Sequence, residues 1–185
     1  MVHAAPEISG SPAEPGSLCI ELIRRRLTTV RVGGHIYLFG RIASTTEVLG
    51  RLAAEGASDG TVVVADDGTT LGLSVLFRLE EALEVLPALS FLAARALRDA
   101  LGAAWLPAVV RVECATAAHC ASWAILGIGA NLGSIAGVTP QRVDRNAFAA
   151  AFLNALDRLV ATFAARGASA VLAGWRDTGG FDARE

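Results

Sequence analysis

Residues 61–65 (TVVVA) constrain the fold more than any other stretch. They lie between the turn pair Asp59-Gly60 and the turn triplet Asp66-Asp67-Gly68. An apolar run rich in β-branched residues and bounded by turn residues reads as a strand. Every side chain after Thr61 is apolar, so this strand is expected to be buried on both faces. Residues 71–79 (LGLSVLFRL) follow the triplet with rough alternation and read as the return strand. Upstream, residues 35–42 (HIYLFGRI) are β-rich, although Gly40 weakens them. Ser44-Thr45-Thr46-Glu47 carries a hydroxyl residue three positions before glutamate, a capping-box pattern. It predicts a helix through Val48, Leu49 and Leu52 to about Glu55, ended by Gly56.

The flanking segments are mainly helical. Leu18, Ile20, Ile23 and Leu27 suggest a first amphipathic helix capped by Ser17, and Gly33-Gly34 breaks the chain after it. Pro87 suits the first position of a helix whose inner face is Leu89, Ala93, Ala96, Leu97 and Ala100, with Gly102 as its stop. Residues 109–112 and 121–129 read as strands. Asp144 or Asn146 caps a last helix on which Phe148, Phe152, Leu156, Leu159 and Phe163 recur at helical spacing, and Gly167 closes it. The elements do not alternate strictly, so a doubly wound parallel sheet is not expected. The pattern predicts an α+β fold, a mixed and partly antiparallel sheet packed with helices.

The chain of 185 residues suits one domain. Residues 1–16 read as a disordered leader, 17–176 as the domain and 177–185 as a tail. The leader has no apolar core and is not a signal peptide. No run of about 18 continuous apolar residues escapes interruption by Arg, Asp or Glu, so no membrane span is expected. Cys19, Cys114 and Cys120 form an odd set, against a secreted disulfide framework, and a reducing cytoplasm is the expectation. A net charge of −2 gives no reason to expect nucleic-acid binding. Arg24-Arg25-Arg26 reads as a solvated helix face. The low charged fraction, 18% against an average of about 25%, points to a surface partly covered by a protein partner or an oligomer.

All 16 basic residues are arginine. No lysine is present to form a Schiff base, to act as a tunable ammonium donor or to accept an acyl group. Cys114, His119 and Cys120 have metal-capable side chains, but their spacing is no recognised zinc pattern and a fourth ligand is missing unless Glu113 supplies it. Free thiols are the plainer reading, and no metal is assigned. Asp66-Asp67 reads as a turn before a strand, not a magnesium site.

Three ordered segments resemble the catalytic domain of biotin–protein ligases, in the biotin/lipoate ligase group with its class II synthetase-like fold. Ile42-Ala43-Ser44-Thr45-Thr46 before a helix is similar to the family's Asp-Ser-Thr-Asn. Gly60-Thr61-Val62-Val63-Val64-Ala65-Asp66 resembles the strand leading into its Gln-Thr-x-Gly-Arg-Gly-Arg loop. Gly127-Ile128-Gly129-Ala130-Asn131-Leu132 resembles its Gly-Ile-Gly-Ile-Asn-Val segment. The resemblance spans roughly residues 18–176. It implies that Ser44 and Thr45 contact a biotin ring system, and that Gly127, Gly129 and Asn131 belong to the same pocket, which would take biotin or biotinyl-adenylate. From the residues alone, Ser44 and Thr45 cap a helix, the glycines allow close packing, and Asn131 holds a turn.

The departures bear on activity. Joining ATP to a biotin carboxylate brings two anions together, which needs fixed positive charge. Here Gly68-Thr69-Thr70 runs straight into Leu71, so the arginine-rich loop is missing and Gly68 stands near its glutamine. The family's Lys-Trp-Pro-Asn-Asp motif is replaced around Arg111-Val112-Glu113, with Glu113 near the lysine position. Each close contact of unit charges is worth about 4 kcal/mol at an effective dielectric near 20, roughly a thousandfold in rate. The family's C-terminal barrel-like domain and the DNA-binding module of its repressor-type members are not expected either. The resemblance therefore implies a degenerate, non-catalytic relative, with no catalytic residue assigned. It would be a binding or assembly subunit for a biotinyl or lipoyl carrier protein or a paralogous subunit. Two alternatives stand beside it: an active ligase in which Arg41, Arg78 or Arg111 replaces the missing cations, and an unrelated α/β interaction domain.

Overall fold

The structure, a computed structural model, describes residues 18–78, 86–101, 108–117, 120–131 and 144–176, with 86–87, 108–117, 120–122 and 172–176 described by backbone alone. The expected leader, the tail and the Ser17 cap lie outside these residues. In chain order the elements are α1 (Ile20–Arg24), β1 (Ile36–Phe39), α2 (Thr45–Ala54), β2 (Val62–Asp66), β3 (Thr70–Arg78), α3 (Leu86–Leu101), β4 (Ala108–Ala117), β5 (Cys120–Asn131) and α4 (Arg145–Arg176). The strands form a five-stranded sheet in the order β1-β2-β3-β5-β4. β1 and β2 are parallel, joined by α2 as their crossover, and the other pairs are antiparallel. The fold is thus α+β with a mixed sheet, as the element pattern predicts.

Each face of the sheet has its own cover, as the apolar run of β2 requires. Val62 and Val64 of β2, Leu71, Leu73, Val75 and Phe77 of β3, and Leu126 and Ile128 of β5 pack beneath α3 and α4. Helix α4 presents Phe148, Phe152 and Leu156 to that layer. Residues Arg145–Val171 are long and apolar enough to cross a membrane, but much of that apolar surface is buried in the core. On the opposite face, α2 covers only part of the sheet, setting Leu49 and Ala53 on Val63, Leu76 and Ile125.

A polar stripe on α4 fixes the segment ahead of β1. Asn146 Oδ1 accepts from the Cys19 N–H at 2.8 Å. Asn154 accepts from the Thr28 N–H and donates to the Arg26 carbonyl, both at 2.8 Å. The Asp157 carboxylate, 9% exposed, accepts from the N–H groups of Val30, Arg31 and Val32 at 2.9, 3.0 and 2.9 Å. The held segment crosses Gly60, where φ is 73° and a Cβ would lie 1.9 Å from the Arg31 carbonyl oxygen.

Four expectations need correction. The first helix is shorter than its apolar spacing suggests, because Asn154 takes backbone groups at Arg26 and Thr28 and the chain leaves the helix there; Leu27 still packs on the core. Helix α3 starts at Leu86, so Pro87 is its second residue; the first turn tolerates it because those N–H groups have no intrahelical partner. β4 runs on to Ala117, well past 112, since pairing with β5 carries it through residues of little intrinsic β preference. Gly167, at φ 73°, breaks α4 without ending it, and helix resumes to Arg176.

Candidate functional site

The uncovered part of the α2 face forms the candidate site. Along β2 the residues on this face change from Val63 to Ala65. Along β3 they change from Leu76 to Ser74 and Gly72, and along β5 from Ile125 to Gly127 and Gly129. The ladder pairs Gly72 with Gly129 and Ser74 with Gly127, so the smallest residues of two strands adjoin. The large residues end where α2 begins, leaving a cleft of about 330 Å³ floored by Gly72, Gly127 and Gly129. That is within the size range of small-molecule sites. With no side chains on the floor, a flat group can lie against the peptide plane.

The start of α2 forms the wall. Ser44 is the N-cap, with extended backbone (φ −156°, ψ 125°), and its Oγ accepts from the Glu47 N–H at 3.2 Å. The hydroxyls of Ser44 and Thr46 lie 2.7 Å apart, and Ser74 donates to Thr45 Oγ1 at 2.8 Å. Gly40, Ile42 and Ala43 extend the wall towards β1, and Thr70 and Asp67 close the far rim. The cleft thus offers hydroxyl groups over a bare backbone floor.

Its electrostatics follow from the β2–β3 turn. Asp67 Oδ1 accepts from the Thr70 N–H at 2.7 Å and from the Thr69 N–H and hydroxyl at 2.9 Å each. These bonds, led by that from Thr70, lower its pKa to about 2, so the rim carries a carboxylate at neutral pH. Asp66 accepts from the Gly68 N–H at 2.9 Å and pairs with Arg145, which also donates to the Gly68 carbonyl. Both acidic residues of the triplet therefore serve the turn. Among the described residues that line the cleft, none is cationic.

The predicted residues fall into place unevenly. Ser44, Thr45, Gly127 and Gly129 come together around the one cleft. Asn131 lies at the end of β5, paired with Thr70 and exposed, outside the lining. Of the proposed substitute cations, Arg78 donates to the Ala53 and Ala57 carbonyls and so holds the far end of α2. Arg41 is exposed and acts electrostatically on Asp67. Arg111 stands opposite Gly127 in the β4–β5 ladder. Glu113, expected near the cation position, instead pairs with Ile125, whose side chain packs beneath α2. The ladder thus sets an arginine, not a glutamate, beside the cleft floor; a spacing count along the chain could not supply that register. Cys114 and Cys120 lie in the same hairpin, opposite Ala124 and Ala117, while His119 and the side chains of these cysteines fall outside the described residues.

Gly72, Ser74 and Thr70 were not singled out from the sequence, and Asp67 was read there only as part of a turn. A trace of them was present: small residues at 72 and 74 alternate with large ones in an otherwise bulky strand.

No family model and no curated protein sequence matches the chain. Among solved structures, it is similar to a biotin protein ligase-like protein of unknown function from Silicibacter sp. TM1040. The TM-score is 0.62 at 15% identity, covering 77% of this chain and 76% of that one. The likeness is one of fold, a distant biotin ligase-like architecture.

Proposed function

We propose that this chain, with its biotin ligase-like fold, is a non-catalytic binding subunit. Its cleft takes a neutral, planar head group, of the biotinyl kind, carried on a partner protein. One observation carries this reading: the hydroxyl wall and glycine floor are intact, while the described lining has a carboxylate and no cation. The absence of lysine throughout the chain points the same way. Two negatively charged reactants have no attraction to such a rim. A head group already joined to its carrier through an amide has lost its own carboxylate charge and meets no such repulsion.

Calorimetric titration with a biotinylated carrier domain and with the same domain unmodified tests this. Binding of the modified form alone, with no pyrophosphate released from ATP, magnesium and biotin, is the expected result. Equal binding of both forms would remove the cleft from the interaction. A second reading, an active ligase, draws on the place of Arg111 opposite Gly127. It requires pyrophosphate release that Arg111→Ala abolishes.

A further inference from the structure

We infer that Ser74 is a positioning residue: from beneath the cleft it commits the Thr45 hydroxyl to donating, so the bound head group must offer an acceptor oxygen there. The inference on ligand chemistry rests on the cleft being the binding site proposed above. Ser74 is fully buried in the middle of β3. A buried hydroxyl needs a partner, and Ser74 has one, donating to Thr45 Oγ1 at 2.8 Å. Thr45 is the first residue of α2 and part of the cleft wall. Threonine within a helix divides between two χ1 rotamers because Oγ1 can reach a carbonyl three or four residues back. At the first helical position that alternative has no helical carbonyl behind it.

The other branch of the side chain has room in this rotamer. A Cβ at Gly72 would lie 3.3 Å from Thr45 Cγ2, so the threonine methyl occupies the space that the glycine leaves. The methyl fills that space without holding the rotamer by itself; the bond from Ser74 selects it, so Oγ1 accepts from below. A hydroxyl carries a single proton, and this one is left to be offered to the cleft. A carbonyl-type oxygen satisfies it; a protonated imine or ammonium at the same place, which has only N–H donors, does not.

Two measurements test the inference. In the ligand-free protein, three-bond NMR couplings to Thr45 Cγ2 should report one χ1 rotamer, and averaged rotamers in Ser74→Ala. Averaging in the wild type, or couplings unchanged in Ser74→Ala, would overturn the inference without reference to any ligand. In titrations at neutral pH with biotinamide and with 2-iminobiotin, whose ring bears a protonated, donor-only imine in place of the carbonyl, Ser74→Ala should weaken biotinamide about tenfold and leave 2-iminobiotin unaffected. In a Thr45→Val background, Ser74→Ala should change neither affinity. A loss that persists there would mark Ser74 as merely structural. If biotinamide fails to bind while Thr45 is locked in the wild type and freed in Ser74→Ala, the proposed function falls and the positioning stands.

Discussion

Asp157→Ala should loosen the whole approach to the sheet, because one carboxylate serves three successive N–H groups. The three do not cost the same. The Val32 bond is buried, and an orphaned buried donor costs about 1–3 kcal/mol. Val30 and Arg31 are exposed residues, so water can replace the carboxylate and each loses only a net hydrogen bond, about 0.5–1.5 kcal/mol. Asp157 is itself 9% exposed, so deleting it also releases the cost of desolvating a charge. The expected loss is therefore about 2–4 kcal/mol, a large part of a stability of about 5–15 kcal/mol. Urea unfolding reads it as a lower midpoint at unchanged slope. Hydrogen exchange should show protection lost at Val32. Asp157→Asn keeps one acceptor oxygen and should lose only about 1 kcal/mol. A loss under about 0.5 kcal/mol for the alanine variant, with Val32 still protected, would refute the clamp.

Gly60→Ala combines a φ of 73° with a Cβ 1.9 Å from the Arg31 carbonyl oxygen, and should destabilise by more than about 3 kcal/mol or prevent folding, measured by urea or thermal denaturation. Gly129→Leu extends into space where a Cβ meets nothing within 4 Å; it should leave the melting temperature nearly unchanged and abolish binding of a biotinylated carrier in calorimetry. The Asp67 carboxyl titrates at about 2, below its ordinary value of 3.8. Its contribution to the turn is thus present above pH 4 and lost as the pH falls through about 2, which a carbon-detected NMR titration should show as a midpoint near 2.

The sheet core and α2 were legible because local rules agree there. The β2 run, its flanking turns and the Ser44–Glu47 capping box all specify the conformation adopted. The extent of β4 was not legible, since it comes from partners on β5 and not from residues 113–117 themselves. The α4 clamp was hidden for a related reason: Asn154 and Asp157 read as ordinary polar positions, and Asn146 as a possible helix cap, until the segment they bind is folded against them. At the cleft, sequence likeness located the capping hydroxyls and the β5 glycines. It could not show that Gly72 pairs with Gly129, or that Arg111 and not Glu113 stands beside Gly127, because strand register is set by the whole ladder.

The most direct measurement is the affinity of the chain for biotinamide set against its affinity for biotinyl-adenylate. A cleft with hydroxyls, bare backbone and a rim carboxylate should bind the amide and gain nothing from the added phosphate. An adenylate held a hundredfold more tightly than the amide would mean that cations do reach the site, and the non-catalytic account would be wrong.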